Sequence, residues 1–205
     1  MINSIRIMKT FFIFAALFSL GTAVFAAEIG KPAPDFSGTD INGKTIHLSD
    51  YKGKIVVLES FNPECPFCQL HYSTGAMQEL QAKFTAKGVV WLVVDSVNTN
   101  NDGYLAPQAA KKEWSDKKFA ASDWLDDSAG TIGHLYEMKT TPHMFVIAGD
   151  GALAYQGALD DNRTPEGDPR AAKNFVENAL DDLLAGKTVS VAQTKPYGCS
   201  VHYAE

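Results

Sequence analysis

Apolar and polar positions fall into alternating blocks over most of this chain. Residues 55–61 and 89–94 are short, nearly unbroken apolar runs rich in β-branched side chains, the pattern of strands buried on both faces. Between them the spacing predicts one long helix from about 66 to 87. Met77, Leu80 and Phe84 lie on one face of it, and Gly88 ends it. Residues 106–120 form a charged amphipathic helix, Trp124-Leu125 a short extended piece and residues 129–137 a short helix. Strands at 144–148 and 152–156 flank the turn Gly149-Asp150-Gly151, and a helix at 174–184 is closed by Gly186. Ahead of this series, residues 31–43 are loop-like, and 40–48 form a hairpin around Asn42-Gly43. Such alternation predicts an α/β domain: a mixed central sheet flanked by helices, with an N-terminal hairpin and a C-terminal tail. Residues 158–168 form a polar loop, and residues 187–205 have little periodicity. No internal repeat interrupts the series.

The first 26 residues differ from the rest. Arg6 and Lys9 precede an apolar stretch at 10–20, and Val24-Phe25-Ala26 supplies small residues where a signal peptidase cuts. The stretch is short for a membrane span, which needs about 20 residues. The expected organisation is a signal peptide at 1–26, a domain at 27–187 and a tail at 188–205 carrying Cys199. Cleavage near Ala26 leaves a periplasmic or secreted protein with no membrane span. Loss of Arg6 and Lys9 leaves 16 basic against 24 acidic residues, a net charge of −8. An acidic chain is a poor partner for nucleic acid or anionic lipid. With Arg163 and Arg170 as its remaining arginines, it also lacks the makings of a bidentate phosphate site.

The chain has 3 cysteines, too few for a disulfide-stapled scaffold. Cys65-Pro66-Phe67-Cys68 places two of them three apart, where a strand gives way to a helix. Such a pair closes to a disulfide or opens to two thiols, a reversible two-electron switch that needs no cofactor. Pro66 suits a first helical position. Backbone N–H groups at a helix start favour the Cys65 thiolate, which makes Cys65 the candidate nucleophile and Cys68 the resolving thiol. No metal is expected. A structural zinc site needs four ligands, and there is no second C-x-x-C; His71 extends the spacing but falls on the expected outer face of the helix. Glu59 interrupts the first apolar run. A carboxylate there either turns outward into solvent or is buried with a raised pKa.

With these residues in view, the chain resembles the redoxin branch of the thioredoxin superfamily, which holds TlpA-like oxidoreductases and AhpC/TSA-type peroxiredoxins. The segments that carry the resemblance are "GKPAPDFSGTDINGKTIHLSDYKGKIVVLESFNPECPFC" and "TTPHMFVIAGDGALAYQGALDD". It spans residues 30–185, and the tail "TKPYGCSVHY" resembles an extension seen in a subset of the group. The resemblance implies a thioredoxin-like fold and thiol–disulfide exchange with protein thiols or disulfides and a further redox partner. It implies that Glu59 is the base that deprotonates Cys68, and that Thr141-Pro142 is a cis-proline loop docking the substrate chain. Phe67, between the thiols, would face that substrate. The Pro66-Phe67 dipeptide would tune the potential. Cys199 is either an accessory resolving thiol or a free one.

Two other activities compete. A peroxiredoxin-like peroxidase requires Thr and Pro where this chain has Asn62 and Leu58. A copper chaperone of Sco type would use Cys65, Cys68 and a histidine such as His134 or His143, but that group spaces its cysteines further apart.

Overall fold

The computed structural model describes residues 27–204, so the candidate signal segment at 1–26 lies outside the described residues. The elements run β1 (Ser37–Asp40), β2 (Thr45–His47), β3 (Val56–Phe61), α1 (Pro66–Ser73), α2 (Ala76–Thr85), β4 (Val90–Asp95), α3 (Pro107–Asp116), β5 (Asp123–Asp126), α4 (Thr131–Leu135), β6 (Thr140–Thr141), β7 (His143–Ile147), β8 (Leu153–Gly157), α5 (Phe175–Leu184) and β9 (Cys199–Ser200). Seven strands form one sheet in the order β2-β1-β5-β4-β3-β7-β8. β3, β4 and β5 are mutually parallel, whereas β1, β7 and β8 run antiparallel to their neighbours. The sheet is therefore mixed, as the alternating pattern predicts.

Strand alternation sorts the core into two layers. Val57 and Phe61 of β3, with Trp91 and Val93 of β4, point into the layer that holds α1, α2 and α5. Val56 and Leu58, with Val90, Leu92 and Val94, point into the opposite layer, which α4 and the N-terminal hairpin cover. Both central strands are buried along their whole length, which accounts for the continuous apolar runs. By the same alternation Glu59 faces the first layer, beneath the helix that carries the cysteines.

The long helix expected over 66–87 is two helices. Its break falls at Thr74-Gly75: the Thr74 hydroxyl bonds back to the Leu70 carbonyl at 2.7 Å, and Gly75 adopts φ 80°. A left-handed residue ends one helix and starts the next. Arg170 bridges the break. It donates to the Thr74 carbonyl at 2.7 Å and to both carboxylate oxygens of Glu79 at 2.7 and 2.9 Å. The helix expected at 106–120 starts at Pro107 and ends earlier, at Asp116, because Lys118 turns to φ 55° and sends Phe119 into the core.

Residues 188–205, which lack periodicity, are nonetheless tied to the domain as far as they are described. Val189 joins the core. The Gln156 amide donates to the Ala192 carbonyl at 3.1 Å, and the Thr194 amide donates to the Gln156 carbonyl at 3.1 Å. The tail then crosses to the cysteines, where β9 pairs antiparallel with β6.

Candidate active site

Cys65 is the N-cap of α1, with Pro66 at the first helical position. Proline fits there because its missing N–H would have had no helical partner. Cys65 and Cys68 are each about 1% exposed, and all three cysteines are thiols. The Thr141-Pro142 peptide bond is cis, and the Cys65 thiol donates to the Thr141 carbonyl at 2.9 Å. C-x-x-C and proline loop, 76 residues apart in sequence, thus meet at one sulfur.

The two thiols of the pair are driven apart electrostatically. Hydrogen bonding from the Cys68 thiol brings the Cys65 pKa down to about 4; burial opposes this, while the Thr141 hydroxyl, the Cys199 thiol and the Cys68 backbone N–H add to it. The Thr141 hydroxyl is buried and has no hydrogen-bond partner in the reduced protein, so it is free to turn toward a Cys65 thiolate. Burial raises the Cys68 pKa well above the ordinary thiol value, and its bond to Cys65 and the charges on Cys65 and Glu59 push the same way. Near neutral pH the balance favours a Cys65 thiolate stabilised by its neighbour's proton, and the bond to the Thr141 carbonyl belongs to the protonated thiol.

Glu59 is fully buried. Three side chains donate to its carboxylate: Trp91 at 2.7 Å, Tyr72 at 2.8 Å and Gln81 at 3.2 Å. Burial nonetheless raises its pKa to about 7, with those three bonds resisting. Of the two orientations open to Glu59, the inward one is realised. Sequence reasoning points to neither Tyr72 nor Gln81, and it takes Trp91 only as a core or rim aromatic. Trp91 had a signal in its alternation, which puts it on the same face of the sheet as Glu59; Tyr72 and Gln81 had none.

Phe67 is half-buried and packs against Tyr197 of the tail, ring centroids 5.6 Å apart. His71 is not on an outer face. It is about 3% exposed, because α1 turns it toward the loop after β8, where its Nε2 lies 3.6 Å from Asp160 Oδ2. Burial lowers the His71 pKa to about 4 and raises that of Asp160, so this contact is not an ion pair near neutral pH. Tyr197 donates its hydroxyl to Asp160 Oδ1. His143 is a buried strand residue whose Nδ1 accepts from the Lys139 amide at 3.3 Å, and His134 is exposed and stacked on Tyr203. Among the described residues no group of three or more His, Cys, Asp or Glu side chains is arranged to hold a metal ion. Asn62 accepts from the Glu64 amide at 2.8 Å, and Leu58 lies in the opposite core layer.

Residues 29–156 match the model of the AhpC/TSA family. The chain belongs to that family. It is 36% identical over 126 residues to the thiol-disulfide oxidoreductase ResA of Bacillus thuringiensis subsp. konkukian, covering 62% of this chain and 67% of that one. A crystal structure of an uncharacterized conserved protein from Geobacillus kaustophilus superposes with a TM-score of 0.76 at 27% identity, covering 86% of this chain and 93% of the other. The thioredoxin domain of a thiol-disulfide oxidoreductase from Bacteroides vulgatus superposes with a TM-score of 0.50 at 19% identity, over 64% of this chain and 89% of the other. The fold is thioredoxin-like and the activity is thiol–disulfide exchange.

Proposed function

We propose that Cys65 and Cys68 are the working redox pair and that they exchange disulfides with protein partners. The observation that carries this reading is the asymmetry of the pair: two buried thiols one helical turn apart, the first favoured as thiolate and the second held as thiol. The Cys65 thiolate attacks a partner disulfide. A bond forms between Cys65 and one partner sulfur, and the partner's other sulfur leaves as thiolate. The bonded Cys65 sulfur no longer carries charge, so one of the causes holding Cys68 protonated disappears. Glu59, poised near pH 7, takes the proton that Cys68 releases. Cys68 then attacks Cys65, closes the internal disulfide and frees the reduced partner. The steps run backwards for a partner dithiol.

In this reading Thr141, Pro142 and Phe67 border the Cys65 sulfur and line the edge that a chain exchanging with it must follow, an edge along which the C-terminal residues lie in this structure. The unit at work is the domain at 27–187 with the tail at 188–205. No helix among the described residues is long and apolar enough to cross a membrane. The charge and apolar pattern of residues 1–26 supports export and cleavage near Ala26, hence action in the periplasm or outside the cell.

Catalysed reduction of insulin by dithiothreitol tests the assignment. Cys65→Ser should abolish catalysis, and Cys68→Ser should leave less than a tenth of it. Full activity in Cys65→Ser would remove Cys65 from its role. Sequencing the N-terminus of exported protein tests localisation: a start at Ala27 supports it, and retention of residues 1–26 in the cytoplasm contradicts it.

A further inference from the structure

The edge that frames Cys65 already holds a chain. Thr140 and Thr141 pair antiparallel with Ser200 and Cys199, with Cys199 in register opposite Thr141. The Thr141 carbonyl that accepts from the Cys65 thiol also packs against the backbone of Gly198, so closely that a side chain at 198 would collide with it. Gly198 sits at φ 124°, a conformation other residues rarely adopt. The segment is pinned on both sides of the cysteine. Before it, Tyr197 is buried against Phe67 and bonded to Asp160. After it, the Asn98 side chain donates to the His202 and Tyr203 carbonyls at 2.8 and 3.1 Å, and Tyr203 donates to the Met138 carbonyl at 2.8 Å. Cys65 and Cys68 are sealed in, whereas Cys199 is only partly buried.

We propose that the C-terminal strap is a built-in substrate segment and that Cys199 is the exchange thiol through which partner proteins reach the buried Cys65–Cys68 pair. The proposal rests on the reading of that pair given above. In the oxidised pair Cys65 carries neither the charge nor the bond that raises Cys199, so Cys199 gives up its proton to solvent and its thiolate attacks Cys65: the Cys65–Cys199 bond forms, the Cys65–Cys68 bond breaks, and Cys68 leaves with the electron pair and takes back a proton from Glu59. A thiolate of a partner dithiol then attacks the accessible Cys199 sulfur. The partner–Cys199 bond forms and Cys65 leaves as thiolate. A low-pKa thiol is the better leaving group, and hydrogen bonding from Cys68 lowers Cys65 while burial raises Cys199. The partner's second thiolate attacks its first sulfur, and Cys199 leaves and is protonated. The partner has lost two electrons and the protein has gained two. Reduction of a partner disulfide follows the same steps in reverse.

Glutathione buffers probe the proposal on the full mature chain, with alkylation and peptide mapping of each cysteine. In Cys68→Ala, oxidised glutathione should produce an intramolecular Cys65–Cys199 link. In Cys199→Ala and Cys199→Ser, Cys65–Cys68 should still close, but at least tenfold more slowly than in the unmodified chain. Closure at the unmodified rate in both Cys199 variants, or glutathione retained on Cys65 of Cys68→Ala beside a free Cys199, overturns the proposal. If the unmodified chain never closes Cys65–Cys68, the reading of the pair fails instead. A Cys65–Cys199 link in Cys68→Ala would then still support the strap.

Discussion

Glu59→Gln has consequences for stability and for turnover that can be worked from the same geometry. In the folded protein burial raises the Glu59 carboxyl from 4.5 to about 7. At ~1.4 kcal/mol per pH unit, ionising it in place costs about 3 kcal/mol more than in the unfolded chain. The folded state holds a proton there that the unfolded state has released. Its contribution to stability is complete below pH 4.5 and is lost as pH rises through about 7. Glutamine fits the site. Its oxygen keeps the Trp91 and Gln81 bonds, and its amide faces the Tyr72 hydroxyl, which can turn to accept. The variant should therefore match the unmodified protein within about 1 kcal/mol at pH 4 and exceed it by about 3 kcal/mol at pH 8. Urea unfolding of the reduced protein at both pH values measures this. Asp95, raised by burial to about 8, titrates in both proteins and cancels in the difference. The same variant should slow closure of a mixed disulfide by about a hundredfold. Parallel stability curves for the two proteins would refute the buried-carboxylate argument. An unchanged closure rate would remove Glu59 from the chemistry.

Other perturbations read different parts of the site. Thr141→Val deletes a buried hydroxyl beside Cys65 that is free to turn toward its thiolate and helps hold its pKa down, and the Cys65 titration followed by thiolate absorbance should move up by about one pH unit. Gly198→Ala drives a methyl group into the Thr141 carbonyl; it should lift the strap, speed alkylation of Cys65 and abolish the Cys65–Cys199 link, and no change in either readout would contradict the close approach. Tyr197→Phe leaves the buried Asp160 carboxyl with one donor fewer, so it should cost about 1–3 kcal/mol in urea unfolding and raise hydrogen exchange across residues 196–204. Stabilising the Cys65 thiolate stabilises the reduced form, which places the potential of the pair well above ~−270 mV, the thioredoxin value; equilibration with glutathione of known ratio measures it.

The sheet was legible where one physical cause dominates the residue pattern. β3 and β4 are buried on both faces, so their apolar runs stand out. The hairpin announces itself through Asn42-Gly43, whose glycine takes φ 85°. The break between α1 and α2 was harder to see, because the apolar spacing carries on across Thr74-Gly75 while the backbone does not. His71 illustrates the limit of periodicity: a polar residue on a helix looks solvent-facing until a loop more than 80 positions later supplies Asp160 to cover it. The strap was illegible for a related reason. Its order comes from backbone bonds to β6 and β8 and from two tyrosine hydroxyls, none of which leaves a repeating signature. Cys65, Cys68 and the proline loop were visible from motif and resemblance, and the inward turn of Glu59 follows from strand alternation once the helix is known to lie above it.

Redox equilibration of the full mature chain in glutathione buffers, followed by alkylation and mass mapping, bears most directly on the central claim that Cys65 and Cys68 are the working pair. Reversible closure of a Cys65–Cys68 disulfide, with a single midpoint and Cys199 returning to the thiol state, is the predicted result. A Cys65–Cys68 pair that stays reduced, or stays oxidised, across the whole range of glutathione ratios while thiol–disulfide exchange proceeds would contradict it.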